Sequence, residues 1–270
     1  MNLITSADNT IVKELYSLKQ KKHRDERKQY FIEGIRFVEE ALNESADIER
    51  ILVSQAFAGG TAGKSLLAEI QSKGHIVNVL SDKLFDRASD TENPQGIIAV
   101  MKARYYKLED ILRRDGFLVL LDAVQDPGNL GTIIRTADAA GADGVILSRG
   151  CVDLYNPKVL RATMGSVFHI PACSCDSSRE AINMLKSKGF SVYGAHLSGT
   201  LSYFELDMKK SVALVIGNEA NGICEDAASS ADMLVKIPMY GRAESLNASV
   251  AAGLLMYEVV RQRKAGISAL

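Results

Sequence analysis

The sequence predicts an α/β protein of two units, the second built around a largely parallel sheet. Three observations carry this. Short β-branched apolar runs alternate with helix-period segments along most of the chain, the pattern of strands joined by crossover helices. The 270 residues allow one large domain or two modest ones, at roughly 100–200 residues each. Apolar residues make up 47% and charged residues 24%, which excludes a disordered chain and supplies material for buried cores.

The elements follow in order. Residues 1–30 are polar and locally basic, with seven Lys/Arg and three acids between Lys13 and Lys28; such a run is a solvated helix face or a helix that touches phosphates. Ile48–Val53 reads as a buried strand. Lys64–Lys73 carries helical spacing through Leu66, Leu67 and Ile70, with Gly74 as its stop. His75–Leu80 is strand-like, Asp82–Ala88 a short helix and Gly96–Met101 a strand. Lys102–Gly116 is a charge-rich linker with a short helix. Beyond it, strands are expected at Phe117–Ala123, Gly144–Leu147, Val167–Ile170, Ser191–Ala195, Val212–Ile216 and Met233–Ile237. Helices are expected at Leu130–Ala140, Pro157–Met164, Ser178–Lys188 and Leu246–Arg263. The domains expected are thus 1–105, a linker 106–115, and 116–270. In open parallel sheets, ligands bind at the carboxyl ends of the strands.

No basic and apolar leader opens the sequence, and the longest apolar stretches fall far short of the about 20 residues of a membrane span, so no membrane association is expected. Four cysteines, Cys151, Cys173, Cys175 and Cys224, are too few for a disulfide scaffold. Cys173 and Cys175 share a strand face but lack a second ligand pair, so no metal is expected. A reducing, cytoplasmic setting fits. The formal charge is -1. Residues 1–105 hold 15 basic and 15 acidic residues, and 106–270 hold 17 and 18. Bulk charge therefore excludes non-specific grip on nucleic acid, and any such contact must rest on local clusters: Lys13–Lys28, Lys102–Arg114, and Arg135, Arg161 and Arg242.

Two familiar motifs fail. Ala58-Gly-Gly-Thr-Ala-Gly-Lys64-Ser65 nearly matches a phosphate-binding P-loop but lacks the first glycine and follows its strand too late. No Gly-x-Gly-x-x-Gly follows a strand.

Three clusters at strand ends hold. In the first, Asp126-Pro-Gly-Asn129-Leu-Gly131 leads into a helix with Asn129 as its expected cap and Gly128 as a turn residue; Arg135 lies nearly two turns along an otherwise apolar helix. In the second, a buried strand ends in Gly217-Asn-Glu219-Ala-Asn-Gly222, whose glycines let backbone approach a ligand. In the third, Ile237-Pro-Met239-Tyr-Gly241 runs to Ser245-Leu246-Asn247-Ala-Ser249, with Ser245 as expected cap. The small residues that follow suit tight helix packing.

Together these clusters resemble the SpoU, TrmH-like family of RNA ribose 2′-O-methyltransferases in the SPOUT superfamily, over about 150 residues from Leu118 to Arg263 in the family's order and spacing. Asn93-Pro-Gln-Gly96-Ile-Ile-Ala-Val100 resembles more loosely the L30e-like substrate-binding domain that precedes some SpoU domains. The resemblance implies a C-terminal domain with a deep trefoil knot that binds S-adenosylmethionine. The cofactor pocket it implies is made by His196, Leu197, Ser198, Gly199, Ile216, Gly217, Gly222, Ile237, Met239 and Leu246. It also implies a homodimer, an RNA partner, and a site shaped by Asn129, Arg135, Glu219, Ser245 and Asn247, with Glu219 orienting Arg135 or nearby backbone.

The resemblance makes Arg135 the base. A guanidinium normally keeps its proton, so bidentate binding of a phosphate is an equal reading. A structured rRNA is favoured as substrate over tRNA. A catalytically silent RNA-binding protein and a base methyltransferase of the same knotted class are the rival classes.

Overall fold

The computed structural model describes residues 3–264; the outermost ends of the expected domains, 1–2 and 265–270, lie outside the described residues. The chain divides into two compact units, residues up to Arg104 with Tyr155–Phe168, and Tyr105–Leu154 with the residues from His169 onward.

In the first unit, β1 (Leu3–Ile4), β2 (Gln29–Glu33), β3 (Ile48–Ser54), β4 (Val77–Leu80) and β5 (Ile97–Lys102) form a mixed sheet in the order β1-β4-β3-β5-β2. β4 runs parallel to β1 and β3, while β5 runs antiparallel to β2 and β3. Side chains alternate between the faces of a strand, so the central strands serve two cores. Ile51, Val53, Ile97 and Ala99 face Leu66, Leu67 and Ile70. Leu52, Ile98 and Val100 face Val12, Leu15, Leu18 and Phe85.

The near-P-loop segment is a helix pair. Ser54 caps a helix over Gln55–Gly59, and a second helix spans Thr61–Ser72. A Cβ on Gly63 would lie 1.8 Å from the Phe57 carbonyl oxygen. Close helix contact, not a phosphate nest, requires that glycine.

The basic run Lys13–Lys28 forms two helices, Thr10–Ser17 and Lys21–Arg27, and most of its cations already have partners. Lys13 pairs with Asp8, Lys21 with Asp25 and Arg27 with Glu14. Buried Arg24 donates to the carbonyls of Leu18 and Lys19, and Lys19 to those of Arg87 and Ser89. In the second expected cluster, Arg104 pairs with Asp47 and Arg113 donates to local carbonyls.

One expectation needs a boundary correction. The sequence reading keeps Tyr155–Phe168 in the second domain, but the structure packs it into the first unit. The Tyr155 ring stacks on Tyr30 with centroids 4.3 Å apart, and its hydroxyl accepts from the Arg104 N–H at 3.0 Å and donates to the Arg104 carbonyl at 2.7 Å. Leu160 is buried in the first core, and Phe168 packs on Phe37. The helix spans Pro157–Thr163 and ends where Met164 turns left-handed, φ 51°. The strand expected at Val167–Ile170 is instead a single 3-10 turn, Ser166–Phe168.

The second unit carries β6 (Phe117–Asp122), β7 (Gly144–Ser148), β8 (Ala172–Cys175), β9 (Ser191–Ala195), β10 (Leu201–Ser202), β11 (Val212–Gly217) and β12 (Met233–Lys236), in the order β10-β12-β9-β11-β6-β7-β8. Every pairing is parallel. All residues of the central strands β6 and β11 are buried, as expected of strands covered on both faces. Register places Asp122 opposite Gly217, so β6 and β11 end level.

A helix over Pro127–Ala139 follows β6, and a helix over Ala248–Lys264 packs against it. The small residues of the second helix serve this contact: Ala248 and Ala252 are buried, and a Cβ on Gly253 would meet Thr136 at 3.8 Å. On β8, burial pushes the Cys173 thiol up to about 12 and the Cys175 thiol to about 11, which keeps both protonated and unreactive. Among the described residues no helix is long and apolar enough to cross a membrane.

Candidate active site

At the carboxyl ends of β9, β11 and β12 lies a cavity of about 600 Å³, within the usual size of small-molecule sites. Its walls are three chain segments leaving the sheet. Ala195 ends β9, with His196 and Leu197 beyond it; Ile216–Gly222 close β11; Val235 and Lys236 end β12, with Ile237, Met239 and Glu244–Ala248 beyond it.

The turn after β11 is unusually close. The N–H of Asn218 donates to the Gly222 carbonyl and that of Gly222 to the Asn218 carbonyl, both at 2.9 Å. Gly222 sits at φ 68°, and a Cβ on Gly217 would fall 2.1 Å from the Gly222 carbonyl carbon. Gly217 is thus held by a backbone approach that no other residue permits, while Gly222 supplies the left-handed bend.

Of the ten expected pocket residues, His196, Leu197, Ile216, Gly217, Gly222, Ile237, Met239 and Leu246 line the cavity, and Ser198 and Gly199 do not. Ser198 is exposed and fixes its neighbour: its N–H donates to His196 Nδ1 at 3.1 Å. Gly199 is buried against β12, where a Cβ would lie 2.6 Å from the Val235 carbonyl carbon.

One polar side chain from each of the three motifs, Asn129, Glu219 and Asn247, joins a single chain of hydrogen bonds. Asn247 Nδ2 donates to Asn129 Oδ1 at 2.9 Å, and Asn129 Nδ2 donates to Glu219 Oε1 at 2.8 Å. Glu219 also receives the backbone N–H groups of Gln125 and Asp126, at 3.5 and 3.4 Å. Asn247 Oδ1 accepts from the N–H and the hydroxyl of Ser249. Asn129 is buried, 8% exposed, and its amide has both its carbonyl and its amino group engaged.

Burial pulls the Glu219 carboxyl upward, but the Asn129 amide and the backbone N–H groups of Glu219, Gln125 and Asp126 outweigh it and hold the group below its ordinary value. A depressed carboxyl stabilises the fold above the ordinary carboxylate range, and that contribution disappears as pH falls through the folded value. Glu219→Gln is therefore expected to be less stable than wild type near neutrality, the difference shrinking as pH is lowered from about 6 toward 3. Urea unfolding at several pH values checks this. A difference independent of pH contradicts it.

Three local expectations change. Asn129 is not the helix cap: Asp126 is, accepting from the Asn129 N–H at 2.8 Å, with Pro127 in the first turn. Gly128 lies in that turn without a positive φ. Ser245 does not start the last helix, which begins at Ala248 after the Asn247 side chain has accepted from Ser249 and Val250; Ser245 instead lines the cavity. Of the two alternatives for Glu219, the structure shows the backbone one: it accepts from the Gln125 and Asp126 N–H groups and from Asn129, and makes no hydrogen bond or ion pair with Arg135. Arg135 is exposed and makes no hydrogen bond or ion pair with the described residues. Arg242 is likewise exposed and unpaired among them, whereas Arg161 belongs to the first unit and pairs with Asp90 at 3.0 Å.

Sequence reasoning missed Asp126 and Asn218. The Asp-Pro pair is itself a cap signature, the proline fitting the first helical position. Asn218, whose Nδ2 donates to the Ala123 carbonyl at 2.9 Å, leaves no such mark.

Comparison with known proteins decides among the readings of this site. Residues 116–257 match the model of the SpoU rRNA methylase family, and residues 9–99 match that of the MRM3-like substrate-binding domain. The chain belongs to the SpoU rRNA methylase family. It is an S-adenosylmethionine-dependent RNA 2′-O-methyltransferase. It is 39% identical over 259 residues to 23S rRNA (guanosine(2553)-2′-O)-methyltransferase RlmP of Bacillus subtilis, covering 96% of this chain and 99% of that one.

Among solved structures, the AdoMet-bound rRNA methyltransferase from Sinorhizobium meliloti aligns with TM-score 0.86 and 36% identity over 99% of both chains. The SpoU methyltransferase AviRb from Streptomyces viridochromogenes with AdoMet aligns with TM-score 0.85 and 29% identity, over 97% of this chain and 100% of that one.

Proposed function

We propose that this SpoU-family chain methylates a ribose 2′-hydroxyl in a structured rRNA of the 23S class, as a cytoplasmic homodimer, with its cofactor in the cavity at the ends of β9, β11 and β12. The carrying observation is that all three motifs, distant in sequence, meet there through the Asn247–Asn129–Glu219 chain. The 23S assignment draws on the RlmP relative, which covers nearly the whole of both chains.

The cavity suits S-adenosylmethionine. Leu197, Ile216, Ile237, Met239 and Leu246 give apolar walls, and the Gly217–Gly222 turn presents backbone where side chains would block approach. Bound there, the cofactor supplies an electrophilic methyl group on its sulfonium. The chain's own work is positioning and handling one proton. Asn129, Glu219 and Asn247 fix the three loops against one another, and Ser245 borders the same space. Arg135, exposed and without a partner in the described chain, is free to meet the RNA, either taking the hydroxyl proton or gripping the adjacent phosphate with its planar fork. The deep trefoil knot is part of the same reading.

The dimer reading rests on the last helix. Its small-residue face is occupied by the Pro127–Ala139 helix, but Val250, Leu254 and Tyr257, spaced four and three residues apart, remain 52%, 40% and 51% exposed. Such a stripe fits a second copy. The function is tested by the atom that gains the methyl group: rRNA incubated with labelled S-adenosylmethionine is expected to yield a nuclease-resistant 2′-O-methylated dinucleotide.

A further inference from the structure

Asp122, the last residue of β6, is a buried carboxylate, 5% exposed, that nothing in the proposed chemistry uses. Buried carboxylates persist only where their oxygens are bonded, and this one gathers three segments. Its Oδ1 accepts from the hydroxyls of Ser178 at 2.5 Å and Ser148 at 3.2 Å. Its Oδ2 accepts from the backbone N–H of Cys224 at 2.7 Å.

Cys224 lies just beyond the cavity turn. At the entry to that turn, Gly217 pairs with Asp122 in the sheet, and Asn218 Nδ2 donates to the carbonyl of the next residue, Ala123. Ala123 itself takes a left-handed conformation, φ 54°, that alanine rarely adopts, and its N–H donates to Ser148 Oγ at 3.0 Å. The turn Gly217–Gly222 is thus fastened at entry by Asp122–Ala123 and at exit by the Asp122 side chain.

We infer that Asp122 is a positioning residue for the cofactor cavity: by holding the Cys224 N–H it sets where the Gly217–Gly222 backbone presents itself to the ligand. This rests on the cavity being the cofactor site. The carboxylate needs no contact with the cofactor; it acts through the turn.

The test is S-adenosylmethionine affinity of the full chain by calorimetry, beside melting temperature. Asp122→Ala strands the Cys224 N–H and is expected to raise Kd by about tenfold or more, whereas Asp122→Asn, which keeps an acceptor while the serine hydroxyls rotate, stays within about threefold. Cys224→Pro attacks the same bond from the other side: it deletes the donor at a residue whose φ of -66° already suits proline, and is expected to weaken binding about as much as Asp122→Ala. Cys224→Ser keeps the N–H and binds as wild type. kcat at saturating cofactor is expected to change by less than about threefold in the folded variants, giving a KM effect without a rate effect.

If Asp122→Ala does not fold, Cys224→Pro decides alone. A folded Cys224→Pro or Asp122→Ala with wild-type affinity overturns the proposal. An unchanged affinity in Ile237→Trp, which fills the cavity, instead rejects the cavity as the cofactor site.

Discussion

Arg135→Ala is expected to slow methyl transfer by about 10²–10⁴-fold while leaving S-adenosylmethionine affinity within about twofold, since Arg135 is exposed and is not among the residues that line the cavity. The observation behind this is an absence of internal work. Arg135 is exposed and makes no hydrogen bond or ion pair with the described residues, so its removal disturbs no fold contact of the guanidinium, and a rate loss reports on RNA. Arg135→Lys tests whether its role requires the guanidinium itself. A planar fork gripping phosphate or aligned on the ribose is not reproduced by an ammonium. A rate close to wild type for the lysine variant therefore removes any guanidinium-specific role, while a loss approaching that of alanine supports one. Single-turnover rates with saturating cofactor measure this directly.

Gly217→Ala is the second large effect. The added Cβ would lie 2.1, 2.2 and 2.4 Å from the carbonyl carbon of Gly222, the nitrogen of Ile223 and the oxygen of Gly222. These are backbone atoms, and none can swing aside as the end of a side chain would. The turn must open, breaking the reciprocal Asn218–Gly222 hydrogen bonds and reshaping a cavity wall. The expected result is a Kd for S-adenosylmethionine raised by about 100-fold or more, with a stability loss of about 1–3 kcal/mol from the overpacking. Gly241→Ala is the control on the neighbouring loop: nothing lies within 4 Å of its Cβ position, and its φ is not positive, so affinity and melting temperature should hold. Comparable losses at both glycines would contradict the close-approach account of Gly217.

The second unit was readable because its strands are buried on both faces and so appear as unbroken apolar runs, Phe117–Leu121 and Val212–Ile216 among them. The loops that follow them carry Asn129, Gly217 and Asn247 at spacings that chemistry constrains. The core that Tyr155–Phe168 joins is not legible, because the Asn156 cap and Pro157 announce a helix without saying which core buries Leu160. β2 is not legible because Tyr30-Phe31-Ile32 is only three apolar residues long amid charge, too short for periodicity to speak, whereas the helix over Ile35–Asn43 does carry a readable buried face in Val38, Ala41 and Leu42. The sequence does not single out the caps near Asn129 and Ser245, because several good cap residues sit within three positions and only the fold selects Asp126 and the Asn247 side chain. The charge clusters were visible in sequence, but their pairing was not. Structure shows most of the Lys13–Lys28 cations bonded within the chain and Arg161 paired with Asp90, leaving Arg135 and Arg242 unpaired among the described residues.

The most direct test is to incubate the purified chain with labelled S-adenosylmethionine and, separately, 23S rRNA, 16S rRNA and tRNA, then digest the RNA with nucleases that need a free 2′-hydroxyl. The account predicts label in the 23S sample, recovered as a single nuclease-resistant 2′-O-methylated dinucleotide, and its loss in Arg135→Ala. Label carried on a base, or confined to tRNA, would contradict it.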